Sequence, residues 1–132
     1  MIRDDVVKAL CATGKWSEPT ARLAERARYR CEYCSCDLLA SLDAYKRFEV
    51  DHIVPTSKGG DPLDFDNLAL ACRHCNVHLK RSWDPREAVG QDATRERLIE
   101  AVKSHLLDAA ERYSSDLTVV RTIVGWSPDG AA

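Results

Sequence analysis

Two Cys-x2-Cys pairs, Cys31-Glu-Tyr-Cys34 and Cys72-Arg-His-Cys75, constrain this chain more than any other feature. Each pair can form a knuckle that presents two thiolates to one ion. Four thiolates make a soft, closed, tetrahedral donor set, which suits zinc. The 37 residues between the pairs must therefore form a substructure whose two ends meet. A thioredoxin-like redox pair does not need a second, matching pair. A c-type haem site needs His after the second cysteine, and here Ser35 and Asn76 follow. Cys36 offers a competing ligand, but only Cys31 and Cys34 match the spacing of Cys72 and Cys75. Cys11 and Cys36 are then free thiols, and His74 is a bystander within its knuckle.

The chain has 132 residues, 45% of them hydrophobic and 30% charged. That is enough for one domain, residues 1–132, with a core of its own, and it excludes a wholly disordered chain. No apolar run approaches the roughly 18 residues of a membrane span. The N-terminal residues are acidic and lack the apolar stretch of a secretory signal. An intracellular, cytoplasmic protein is expected, where cysteines bind metals before they form disulfides.

The formal net charge of −2 argues against a general polyanion binder. Its distribution is uneven. Residues 43–66 carry 3 basic and 6 acidic groups, whereas residues 67–83 carry 3 basic and none acidic. A cation site beside a phosphate-binding surface needs that pattern.

Along the chain, residues 4–12 read as a helix opened by Asp4 or Asp5. Ser17 reads as the cap of a second helix, with Pro19 in its first turn, running to about Arg30. Arg22, Arg26 and Arg30 recur on one of its faces, as a solvated stripe or as phosphate contacts. Tyr45 to Ile53 reads as a strand and Asn67 to Ala71 as another, with a turn-rich loop at 55–62. A short helix is expected from Asn76 to Trp83. Asp92 caps a longer one over 93–113, where Leu98, Val102, Leu106, Ala109 and Tyr113 recur at helical spacing. Leu117 to Trp126 is rich in β-formers and reads as a terminal strand. The tail at 127–132 reads as loose. Trp16, Trp83, Trp126 and His105 read as packing residues rather than functional ones.

Between the knuckles stands Phe48-Glu-Val-Asp-His-Ile-Val-Pro55. Asp51 and His52 at a strand end point to opposite sides of the pleat. Asp51 offers a hard oxygen suited to Mg²⁺ or Mn²⁺. Imidazole changes charge near neutral pH, so a histidine at position 52 suits a general base. Glu49 shares the strand face of Asp51, as a solvated residue or a support for it. Gly59-Gly60, Asp66-Asn67-Leu68 and Cys75-Asn76 follow.

In this order and spacing, residues 30–83 resemble the HNH endonucleases, the His-Me finger nucleases. The matching elements are Cys31/Cys34, Asp51-His52-Ile53-x-Pro55, Gly59-Gly60, Asn67-Leu68 and Cys72/Cys75-Asn76. The resemblance implies an α+β fold, a small ββα-metal core with zinc knuckles at residues 30–83. Helices at 4–30 and a helix and strand at 92–126 would flank it. It implies that His52 is the general base, Asn67 holds the histidine's geometry, and Asp51 and Asn76 bind a catalytic Mg²⁺ or Mn²⁺. The implied activity is hydrolysis of DNA, most readily double-stranded, to 5′-phosphate and 3′-hydroxyl ends. Many members carry a lysine three residues after the Asn. Leu79 stands there, and Lys80 follows. Arg73, Lys80, Arg81 and Lys58 are the candidate phosphate contacts. The rival readings are a zinc-stapled nucleic-acid-binding module that does not cut, and a protein-interaction domain favoured by the weakly acidic charge.

Overall fold

The computed structural model describes residues 1–130. Helix α1, Asp4–Ala12, docks on α2, Glu18–Ala27, with ion pairs from Arg3, just before α1, to Glu25 and from Arg22 to Asp4. Glu25 is buried and accepts from the Arg3 backbone and guanidinium at 2.8–2.9 Å and from Tyr29 Oη at 2.6 Å. Ser17 caps α2 as expected, accepting from the Thr20 N–H with Pro19 in the first turn. The helix stops at Ala27 because Arg28 and Tyr29 turn left-handed, at φ of 56° and 60°. That break delivers the chain to the first knuckle.

A short helix α3, Leu42–Lys46, replaces the first residues of the expected strand, capped by Ser41. Strand β1 is Phe48–His52 and pairs antiparallel with β2, Leu68–Cys72. Phe48 lies opposite Cys72 and His52 opposite Leu68. The hairpin therefore carries the second knuckle at one end and the Asp51–His52 pair at the other. Alternation puts Glu49 and Asp51 on one face and Val50 and His52 on the other.

The fifteen-residue connection, 53–67, is clasped by Asn67. Its side-chain oxygen accepts from the Val54 N–H at 2.9 Å. Its amide donates to the Val54 and Asp61 carbonyls at 3.1 Å. Both glycines of the loop are required. Gly59 adopts φ +91°, and a Cβ on Gly60 would lie 1.9 Å from the Val54 carbonyl oxygen.

After β2 the chain winds as a π-helix, His74–Lys80, closed by an i→i+5 bond from the Arg81 N–H to the Asn76 carbonyl at 3.1 Å. A short helix α4, Arg86–Val89, leads to α5, Arg95–Val124. Thr94, not Asp92, caps α5. The expected terminal strand at 117–126 does not form. Residues 117–124 continue α5, which spans 30 residues until Gly125 ends it at φ 71°. A growing helix adds a bond per residue, and no breaker intervenes, so cooperativity overrides local β-propensity. Trp126, expected to pack, is half exposed beneath the Arg121 guanidinium. The expectation for the tail falls partly on residues 131 and 132, outside the described residues.

Two apolar clusters hold the molecule. One joins the knuckles, Ile53 and Leu79 to the Val102, Leu106 and Ala109 stripe of α5. Trp83 lies against it, stacked at 4.1 Å on His105. The other joins α2 to β2 through Leu23, Leu38 and Leu70, with Trp16 stacked on Phe48 at 5.4 Å. Among the described residues no helix is long and apolar enough to cross a membrane.

Candidate active site and metal centre

The knuckles meet. The sulfurs of Cys31, Cys34, Cys72 and Cys75 all lie within 4.8 Å of one another. Cys34 and Cys72 stand 3.8 Å apart, the separation expected of two thiolates about 2.3 Å from a tetrahedral zinc. Backbone N–H groups of Cys34 and Cys75 point at Cys31 Sγ and Cys72 Sγ, each at 3.4 Å. Such bonds favour the thiolate forms. Without a cation the four groups share protons unevenly. Hydrogen bonds from Cys31 and Cys75 pull Cys72 down to about 3, while the bonds to Cys31 and Cys72 drive Cys75 up. A divalent ion lets all four ionise together, so the donor set fits a structural zinc. Cys36 lies outside the four. Burial and its bond to Cys34 push its thiol up to about 12.

Glu32 and Tyr33, inside the first knuckle, tie it to the hairpin. The Glu32 backbone donates to the Leu70 carbonyl at 2.8 Å, and its carboxylate accepts from the Leu70 N–H at 2.7 Å. Arg95 of α5 holds the same carboxylate at 2.8 Å and the Leu68 carbonyl at 2.9 Å. Arg26 donates to the Phe65 and Leu68 carbonyls. The arginine stripe is thus not a uniform solvated face. Arg26 is turned inward and part-buried, whereas Arg22, paired with Asp4, and Arg30, which donates to the Ser35 carbonyl, stay accessible to solvent.

Asp51, His52, Asn76 and Lys80 line one cleft of about 330 Å³, with Pro55 and Ser82. Asp51 is buried and accepts at Oδ2 from Tyr33 Oη at 2.5 Å and from Lys80 Nζ at 3.2 Å. Its Oδ1 has no protein partner among the described residues. Asn76 donates through Nδ2 to Glu49 Oε1 at 2.8 Å. A carboxylate only accepts, so this bond fixes the amide, and Asn76 Oδ1 is left unpartnered. Two oxygen donors in one cleft fit a hard divalent cation.

His52 Nε2 lies 3.2 Å from the Pro62 carbonyl. A carbonyl cannot donate, so Nε2 carries the proton and Nδ1 keeps its lone pair. In the neutral ring that leaves Nδ1 as the basic nitrogen. Asn67 contributes indirectly, by clasping the loop that carries Pro62.

Lys80 does not take its expected place among the exposed phosphate contacts. It is 1% exposed, and Nζ is spent on Asp51 and on the His52 carbonyl at 3.1 Å. Burial pulls its pKa down, and the Asp51 charge opposes that shift. Arg73 is half exposed and paired with Glu49 at 2.9 Å. Arg81 and Lys58 are exposed. His78 lines a separate groove between the π-helix and α5. Tyr33, Glu32, Glu49, Arg26 and Arg95 have structural parts that spacing did not reveal. The marks in the sequence are that Glu32 and Tyr33 fall inside a knuckle and that Glu49 shares the strand face of Asp51, although the residue it supports is Asn76.

Residues 31–82 match the HNH endonuclease family. The match spans both knuckles, the hairpin and the π-helix. No curated protein and no solved structure matches the chain.

Proposed function

From the family match over residues 31–82, we propose that this protein is a metal-dependent endonuclease that hydrolyses phosphodiesters in DNA, with His52 as the general base. The observation that carries the reading is the His52 tautomer. Its Nε2–H is committed to the Pro62 carbonyl, and His52 lines the same cleft as Asp51 and Asn76, each of which keeps one side-chain oxygen unpartnered.

A phosphodiester resists water because its charge repels nucleophiles and its 3′ oxygen leaves poorly. His52 Nδ1 removes the proton from the attacking water, a contribution of about 10²–10⁴-fold. Asp51 and Asn76 would hold Mg²⁺ or Mn²⁺. Bound there, such a cation would supply Lewis acidity to the scissile phosphate. Tyr33 and Lys80 hold Asp51 so that one of its oxygens stays available. Glu49 does the same for Asn76. Cleavage at the 3′ oxygen leaves 5′-phosphate and 3′-hydroxyl ends. Arg73, Arg81 and Lys58 supply the exposed positive charge for the duplex.

The Asp51–Lys80 ion pair favours one other reading, a zinc-stapled module that binds nucleic acid without cutting, because the pair already neutralises the aspartate. Incubation of zinc-loaded protein with plasmid, with Mg²⁺ or Mn²⁺ and with a chelator too weak to strip the knuckles, separates the two. The endonuclease cuts only with added metal. A salt-sensitive gel shift without cutting selects the binder.

A further inference from the structure

Helix α5 outruns the body it packs on. Its 30 residues extend about 45 Å at 1.5 Å per residue. Leu98, Val102, Leu106 and Ala109 face the core. From residue 111 to residue 124 every position is exposed, so this arm touches little else among the described residues.

The arm nonetheless stays apolar on the face that the core used. Tyr113, Leu117, Val120 and Val124 continue the spacing of Leu106 and Ala109 by steps of three and four, which places them in one sector of the helix. Ile123, 79% exposed, widens that sector. Glu111, Ser114, Thr118 and Thr122 lie opposite, and Val119, 58% exposed, is the apolar residue outside the sector. Six of the seven residues from Thr118 to Val124 are β-branched. These are weak helix formers in water, so propensity does not explain a solvated helix here.

We infer that the arm at residues 111–126 is a self-association surface, and that its occupant is the arm of a second copy of this chain. Charge argues against the polyanionic occupants and permits a second copy. The arm carries Glu111, Arg112, Asp116 and Arg121, two of each sign. It has no excess of basic groups to hold a nucleic acid or an anionic lipid surface. Its neutral balance imposes no net repulsion between copies. Area agrees. The five exposed apolar side chains of the sector, Tyr113, Leu117, Val120, Ile123 and Val124, with the polar ones that flank them, offer a surface of about 500 Å², the size at which small specific interfaces begin. Orientation follows from the shared face. Each core lies on the same side of α5 as the arm's apolar sector, nearer the N-terminus. Parallel arms would drive the two cores into each other, whereas antiparallel arms place each core beyond the other arm's tip. The inference makes no use of the cleavage reading.

The test is sedimentation equilibrium of the zinc-loaded full chain across micromolar concentrations. The wild-type mass should rise from 14.8 kDa toward twice that value. Leu117→Glu with Val120→Glu, on the apolar face, should raise the dissociation constant by at least about 30-fold. Thr118→Glu with Thr122→Glu, on the opposite face, should leave it within a few-fold. Zinc content and circular dichroism verify that each variant is folded. A wild-type protein that stays at 14.8 kDa overturns the inference and assigns the face to a different macromolecule. Equal weakening by both double variants overturns it as well, because loss of helix rather than of an interface would then explain the result.

Discussion

Lys80 and Asp51 form an ion pair at 3.2 Å in which the lysine side chain is wholly buried. Two charges removed from water are costly unless each has further partners. Here Asp51 has Tyr33 and Lys80 has the His52 carbonyl. Breaking such a pair leaves an uncompensated charge. Lys80→Met should therefore cost about 3 kcal/mol of stability. Urea unfolding of the zinc-loaded protein measures it, and a loss below about 1 kcal/mol would mean the pair behaves as a surface contact.

His52→Ala should remove cleavage by about 10²–10⁴-fold and leave duplex affinity nearly unchanged, because a base acts in the transition state. Parallel cleavage and gel-shift titrations check this. Wild-type turnover in the variant contradicts the assigned role.

Glu49 is the residue that turns the Asn76 amide toward its neighbours. With Glu49→Ala the amide is free to flip, and Mn²⁺ affinity should fall about 10-fold. Glu49→Gln retains an acceptor oxygen and should keep most of that affinity. Calorimetric titration of Mn²⁺ into zinc-loaded protein reads both, independently of cutting.

The knuckles staple the end of the hairpin at Cys72 to the turn after α2. Protein purified without added metal should contain about one zinc per chain. Cys72→Ser should lose it, and far-ultraviolet circular dichroism should show loss of structure in residues 31–82. A folded, zinc-free variant would exclude a structural role for the ion.

Glu25 links α1 to α2 and is pulled down to about 2 by the hydrogen-bonded Arg3 guanidinium, with burial opposing. A carboxylate whose folded pKa lies below its unfolded value, about 4.3, stabilises the fold above the unfolded pKa. That stability is lost as pH falls from about 4.3 through about 2. Acid unfolding should show this loss, and Glu25→Gln should flatten the curve in the same window. An unchanged curve would remove Glu25 from the acid response.

Those residues differ in how visible they are from sequence. The knuckle cysteines, Asp51-His52, Gly59-Gly60 and Asn67 are local patterns at fixed spacing, so the sequence shows them directly. Arg95 and Glu32 are 63 residues apart, and only packing of α5 against the first knuckle brings them together. Arg26 reads as one of a surface series because helical spacing gives a face, not what covers it. Residues 117–126 mislead for a different reason. Their β-branched side chains favour strand one by one, yet the helix they extend is nucleated more than twenty residues earlier at Thr94.

The π-helix has a consequence for chain length. Its wide turn holds one residue more than an α-turn would, so the span from Asn76 to Lys80 carries slack. Lys80 is the fourth residue after Asn76, yet its ammonium still reaches Asp51. A count along the chain and a position in space are thus uncoupled at this one place. The wide turn closed between the Asn76 carbonyl and the Arg81 N–H thus sets where the lysine meets the aspartate, directly after the zinc knuckle.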